Sequence, residues 1–350
     1  MKDLDYIYTS TLPNKNANSI NVSHFSEALA SKFNFRLFSY IESDVDEIYS
    51  HYNIKEKFHI EKLNGNKYLA VIYLLLRKKL KDNIYVRDFF CALILAIFGK
   101  KVIWESHIKE NRFIYIFGYK LISYFNLFHK IIVITKTLQD KLQLYFSPNN
   151  FVVLPDGSRI QQTIKKHIKK ESLNIGYVGS FHKGKGVETI LKLAKVMKQH
   201  KFMIAGGTPE DVINLKKRSS NNVMYFGHLN QKDLVGFYND LDVGLLPNMP
   251  SVKVYNNGQE IGDVTSPLKM FEYLSYGLPI VSSNLPVLRE ILNTKNSILV
   301  DYDDIKAWSM AINQLEDCDL RKSLSAKGLD ELKNKYSWNI RAEKIYNLLK

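Results

Sequence analysis

DVTSPLKMFEYLSYGLPIVSS, residues 263 to 283, joins a polar loop, a helix start, one carboxylate and a buried strand. Ser266 and Pro267 read as the N-cap and the first helical residue, so Leu268 and Lys269 offer backbone N–H groups at the positive end of a helix. Such an end is a seat for a diphosphate. Glu272 falls in the second turn, on the side where a carboxylate accepts hydrogen bonds from two vicinal hydroxyls of a ribose. Gly277 ends the helix, and PIVSS reads as the next parallel strand.

Working outward, LNIGYVGSFHKGKGVETILKLA from Leu173 reads as an apolar strand, a glycine-rich turn and a helix. In that arrangement backbone N–H groups and a lysine meet phosphate oxygens. Gly179 and the Lys185-Gly186 pair carry the turn. Between the two stretches lie three further strands: HKFMIAGG (200 to 207), NNVMYFGHL (221 to 229) and LDVGLLP (241 to 247). These three read first as parallel-sheet core.

Together the motifs resemble the retaining glycosyltransferases of family 4, in the branch that writes its donor signature as SPLK-x-x-EY. The resemblance implies an α/β GT-B fold, two Rossmann-like parallel-sheet domains facing across a cleft, and a nucleotide-sugar donor. It implies donor contacts from Gly179, Ser180, Lys185, Gly186, Ser266, Pro267, Leu268, Lys269 and Glu272, and a nucleobase edge at Phe226-Gly227. In the first half it implies a backbone contact to the donor phosphates at Asn18 and Ser19, and a histidine facing the donor sugar, His107. The catalytic set is then His107, Lys185 and Glu272. Two positions depart from the family pattern. Val264 stands where the first of two glutamates is usual, with Asp263 beside it, and Ser180 stands where an arginine is usual. Serine cannot grip a diphosphate bidentately, so Lys185, helped by Lys183, Lys269 or His182, carries more of the neutralisation.

A chain of 350 residues with 45% hydrophobic content is enough for two domains with real cores. Its longest apolar candidate, FFCALILAIFG from Phe89, suits a buried helix better than a membrane span. MKDLDYIYTS runs from charges straight into a strand pattern, with no secretory signal visible. Cys91 and Cys318 imply neither a disulfide framework nor a metal site, and fit a reducing cytoplasm.

The net charge of +14 is uneven. Residues 1 to 170 carry 26 Lys and Arg against 15 Asp and Glu; the rest carry 23 against 20. Residues 62 to 141 hold 15 basic, 5 acidic and 14 aromatic side chains. Basic and aromatic residues interleaved on helices are the pattern of an interfacial helix on an anionic membrane surface, and equally of half-buried helices with solvated lysines. No nucleic-acid-binding motif accompanies them.

In the first half DYIYTS, FRLFSY, NIYVRD, KKVIWES and KIIVIT read as strands, with helical patterns starting near Ser19, Tyr68, Phe89, Arg112 and Lys136. Arg87 and Asp88 read as cleft residues or as an ion pair capping a helix. The domain reading is 1–160 on the acceptor side, 161–172 as an exposed linker, 173–332 as the nucleotide-sugar domain, and 333–350 as a helix crossing back to the first domain. The expected activity is sugar transfer to a hydroxyl of a glycan or lipid-linked acceptor, with no metal and no other cofactor, at the cytoplasmic face of a cell membrane. Another GT-B enzyme, such as an inverting transferase or a nucleotide-sugar epimerase, and a non-catalytic subunit that binds sugar nucleotide or membrane, stay open.

Overall fold

The computed structural model describes residues 1–161, 167–252, 262 and 264–350. Asp263 and residues 162–166 of the expected linker lie outside the described residues. The chain divides into two units, Met1–Asp156 with Trp338–Lys350, and Gly157–Ser337.

In the first unit the elements run β1 (Lys2–Leu12), α1 (Ala17–Ala30), β2 (Phe33–Ile41), α2 (Val45–His51), β3 (His59–Lys62), α3 (Lys67–Leu76), β4 (Asn83–Val86), α4 (Phe89–Ile97), β5 (Lys101–Ser106), α5 (Phe113–Phe125), β6 (Lys130–Val133), α6 (Lys136–Leu142) and β7 (Phe151–Val153). The second unit holds β8 (Asn174–Val178), α7 (Val187–Val196), β9 (Lys201–Ala205), α8 (Pro209–Lys216), β10 (Val223–Gly227), α9 (Asp233–Asp240), β11 (Val243–Leu246), α10 (Leu268–Ser275), β12 (Ile280–Ser283), α11 (Pro286–Arg289), β13 (Ser297–Val300), α12 (Ile305–Gln314) and α13 (Cys318–Glu331). A π-helical turn at Leu332–Tyr336 follows, and then α14 (Trp338–Leu348), which packs on α1 in the first unit.

Both sheets are parallel, in the orders β3-β2-β1-β4-β5-β6-β7 and β10-β9-β8-β11-β12-β13. Parallel strands are covered on both faces and so read as unbroken apolar runs. In the second unit one face of the sheet buries Ile175, Tyr177, Ile190 and Trp308, and the other Met203, Phe237, Tyr238 and Phe271. Each sheet reverses its winding beside its first strand, between β1 and β4 and between β8 and β11. Ligands of open α/β sheets bind beyond the strands' carboxyl ends at such a switch point.

Three expectations are corrected. Pro267 rather than Ser266 is the cap of α10: its ψ of 120° keeps it extended, and the helix starts at Leu268. The linker is not exposed throughout, because His167 is buried with its Nε2 against the Gly277 carbonyl (2.9 Å), and Lys170 pairs with Asp242 at 2.8 Å. Lastly, α2 and β3 stand where no element is expected. β3 is a four-residue edge strand, HIEK, whose alternation of polar side chains leaves no apolar run to read.

Candidate active site

At the carboxyl end of the second sheet the glycine turns are hydrogen-bonded in series. Gly179 N–H donates to Ala205 O (3.0 Å), and Gly206 N–H donates to Gly227 O (2.6 Å). A Cβ on Gly206 would stand 2.0 Å from the Gly179 carbonyl oxygen, so the turns after β8 and β9 touch through backbone. Gly186, the N-cap of α7, has φ +81°, and a Cβ there would stand 1.8 Å from Pro247 O. Only glycine meets both conditions. Met249 N–H donates to Gly184 O at 2.8 Å, which fixes the glycine-rich loop against the segment after β11.

Lys269 lies in the first turn of α10. Its side chain is buried (8% exposed), with the ammonium 3.8 Å from the centroid of the Tyr177 ring. Among the described residues Nζ has no hydrogen-bond partner. It lies 3.5 Å from where a Cβ on Gly179 would be, so helix α10 delivers its cation to the turn after β8. Burial, and then the neighbouring charge of Lys185, hold Lys269 well below the usual lysine pKa, with Glu272 opposing. Burial also lowers Lys185. Two desolvated cations, one just before α7 and one in the first turn of α10, meet beside two helix starts, a setting that favours an anion.

One turn further along α10, Glu272 Oε2 accepts a hydrogen bond from Tyr238 Oη at 2.7 Å. Burial raises the Glu272 pKa, and the Tyr238 bond and Lys269 oppose the rise. Tyr238 in turn stacks on Tyr276 at 4.6 Å. Phe226 stays partly exposed, edge-on to Phe237 at 5.1 Å, while a Cβ on Gly227 would meet nothing within 4 Å. Gly277, with φ +65°, closes the helix: its N–H bonds Leu274 O and Leu278 N–H bonds Tyr273 O. The structure thus gathers Gly179, Lys185, Gly186, Lys269 and Glu272 about the ends of β8 and α10. Ser180 is held by its carbonyl, which accepts from Tyr177 Oη (2.8 Å), and Val264 is buried.

The first unit has its own polar cluster. Buried Glu105, at the end of β5, forms an ion pair with Arg87 (2.7 Å) and accepts from His107 Nε2 (2.5 Å) on one oxygen, and accepts from Arg341 of α14 (2.9 Å) and Tyr85 Oη on the other. Burial pushes the Glu105 carboxyl up, but Arg341 and His107 more than offset it and hold it below the usual range. Arg87 also donates to Asn18 Oδ1 and to Asn21 Oδ1, the latter at 2.5 Å, so Asn18 and His107 share one network. Ser19 turns inward: its hydroxyl bonds Asn14 Oδ1 (2.7 Å) and its N–H bonds Asn16 O (3.1 Å). Asp88 caps α4 by accepting from Cys91 N–H (3.0 Å), and its ion-pair partner is Lys67 (2.6 Å) rather than Arg87. Glu105, His107 and Asp156 bring ligand atoms within 4.8 Å of one another. Two guanidiniums already occupy the Glu105 oxygens, an electrostatic setting hostile to a metal cation.

Sequence reasoning missed Tyr177, Tyr238, Glu105 as a hub, and Asn248. Asn248 is 1% exposed just after β11, and both ends of its amide are without a partner among the described residues. A buried amide of this kind follows an apolar strand with no spacing to mark it.

Two doubly wound parallel units, each with a switch point beside its first strand, are the arrangement of the GT-B fold. HepE of Anabaena, solved in complex with UDP, superposes with a TM-score of 0.75 at 12% identity, covering 99% of both chains. Residues 172–317, within the second unit, match the sequence model of the family described as glycosyl transferases group 1. An uncharacterized 41.2 kDa protein of the cps region of Klebsiella pneumoniae is 30% identical over 156 residues, 43% of this chain and 39% of the relative. The capsular polysaccharide biosynthesis glycosyltransferase CapM of Staphylococcus aureus is 24% identical over 238 residues, 63% and 58% of the two chains. Both matches span less than two thirds of the relative's own length.

Proposed function

We propose that the chain transfers a sugar from a nucleoside-diphosphate sugar to a hydroxyl of a glycan or lipid-linked acceptor, with retention of anomeric configuration, in the assembly of a bacterial surface polysaccharide. The observation that carries this reading is the buried ammonium of Lys269 beside Gly179, without a hydrogen-bond partner among the described residues, in the stretch that matches glycosyl transferases group 1. Negative charge grows on the diphosphate as its bond to the anomeric carbon breaks. Fixed cations accelerate that step most where water is excluded. Lys185, Lys269 and the first amides of α10 meet that charge, Glu272 takes the ribose hydroxyls, and Phe226-Gly227 borders the base. His107, oriented by Glu105, faces the sugar. The lysines stand in for a divalent cation, and transfer proceeds with no metal.

UDP and UDP-sugars are the first probes, given the UDP bound in HepE. Thermal shift against UDP, GDP and ADP should find at least one that stabilises the wild-type chain, with the shift lost in Lys269→Met. If none binds at millimolar concentration, or if Lys269→Met binds equally well, the donor site is misassigned. NMR coupling constants of the glycoside product then read retention or inversion directly.

A further inference from the structure

Helices α3, α4 and α5 lie side by side, joined by ring contacts between Tyr68 and Phe90 (6.4 Å) and between Phe90 and Tyr115 (4.8 Å). Each buries one face, such as Ala70, Val71 and Leu74 of α3. The outward faces are apolar as well. On α3, Leu69, Tyr73 and Leu76 recur at the spacing of one helix face, and all three are exposed, Leu76 by 72%. On α5, Phe113, Phe117 and Tyr124 recur in the same way, exposed by 83%, 59% and 84%. Side chains of this size cluster outward on a soluble surface only rarely without a partner.

Charge identifies the partner. None of the three helices contains an Asp or Glu, whereas Lys120 lies on the α5 stripe between Phe117 and Tyr124, and Arg77, Lys78 and Lys79 follow α3, all exposed. Arg77 and Lys79 rest on the Tyr73 ring (5.6 and 5.7 Å), so their stems flank the apolar face and their charges reach its edge. We infer that the outer face of α3, α4 and α5 is a docking surface for an anionic lipid bilayer, with the aromatic and aliphatic stripes entering the headgroup layer and the cations meeting lipid phosphates. Lys81, although part of the basic RKKLK run, takes no part: its ammonium is held by Asn34 O (2.7 Å) and Asp3 (3.3 Å). Among the described residues no helix is long and apolar enough to cross a membrane, so the contact is with the membrane surface.

Co-sedimentation with vesicles tests this without donor or acceptor, so its outcome is independent of the donor-site reading. Vesicles of phosphatidylcholine with about one third phosphatidylglycerol should pellet the full chain, pure phosphatidylcholine should pellet little, and added salt should release it, since such attraction is screened beyond about 8 Å at physiological ionic strength. Phe117→Glu with Tyr124→Glu, and separately Lys78→Glu with Lys79→Glu, should each weaken binding at least about tenfold. Charge reversal at the exposed Lys216 and Lys217 of the other unit should not. Phe117→Trp, which keeps the apolar face, should show blue-shifted emission quenched by brominated lipid. The inference is overturned if anionic vesicles are ignored at low salt, if the Lys216 and Lys217 variant loses as much, or if light scattering shows a dimer that Phe117→Glu dissolves, which would make the occupant a second copy.

Discussion

The ammonium of Lys269 sits 3.8 Å above the centroid of the Tyr177 ring, a cation resting on an aromatic face with no hydrogen-bond acceptor among the described residues. A ring offers part of what water gave up, on the order of 2 kcal/mol when desolvated. The remainder of the desolvation cost is carried by the fold and relieved when an anion arrives.

Lys269→Met should therefore change two observables in opposite directions. Removing an uncompensated buried charge should raise the melting temperature of the ligand-free second unit, by about 2–4 °C per kcal/mol recovered in a domain of this size. The shift produced by nucleoside diphosphate should shrink. Loss of stability in the free variant would show that Lys269 has a structural partner in solution.

Donor binding should take up a proton. Burial and Lys185 lower the Lys269 pKa in the free protein, and a diphosphate raises it, so affinity falls as pH rises through the free-protein pKa. The same depression makes Lys269 oppose folding below the unfolded lysine pKa, a penalty that fades as pH rises. Calorimetry in buffers of different ionisation enthalpy reads the uptake, which Lys269→Met should abolish. Uptake unchanged in that variant would assign the proton elsewhere.

Glu272→Gln should weaken nucleotide binding by about 1.5–3 kcal/mol, the scale of hydrogen bonds to a charged group. Tyr238→Phe, which removes only the bond to Oε2, should cost less. Equal losses would mean that the carboxylate acts by holding Tyr238 rather than ribose.

Lys185→Ala should cut turnover by about two decades or more, on the scale of a lost transition-state charge contact. Lys192→Ala, at an exposed position on α7, serves as the control. Indistinguishable rates would leave bulk positive charge as the explanation. Turnover should survive EDTA, since the cations are supplied by side chains.

Glu105→Gln removes the charge that two arginines share. Breaking a buried pair costs about 3–5 kcal/mol, so the first unit should melt earlier while nucleotide binding by the second persists. If the first unit's transition does not move, the arginines find other acceptors.

Both sheets were legible because buried parallel strands such as LNIGYV and KIIVIT leave unbroken apolar runs, and because glycine spacing marks where backbone must approach backbone. β3 and α2 were not, being too short and polar to carry a period. Nor can a string of lysines say which is buried: Lys183 and Lys269 look alike in sequence, and only the packing of α10 against β8 separates an exposed side chain from a desolvated one. The pairing of Glu105 with Arg341 spans 236 residues and leaves no local trace.

Helix α14 contributes Arg341 and Trp338 to the first unit, though some 180 residues of the second unit precede it in the chain. During synthesis, therefore, the earlier-made unit waits. Until residue 341 leaves the ribosome, Glu105 has Arg87 but not its second guanidinium, and Phe25 lacks the Trp338 ring it packs on. The later-made unit, Gly157–Ser337, is an uninterrupted stretch and has all its parts first. The order in which the two halves reach their native state should thus be the reverse of the order in which they are translated.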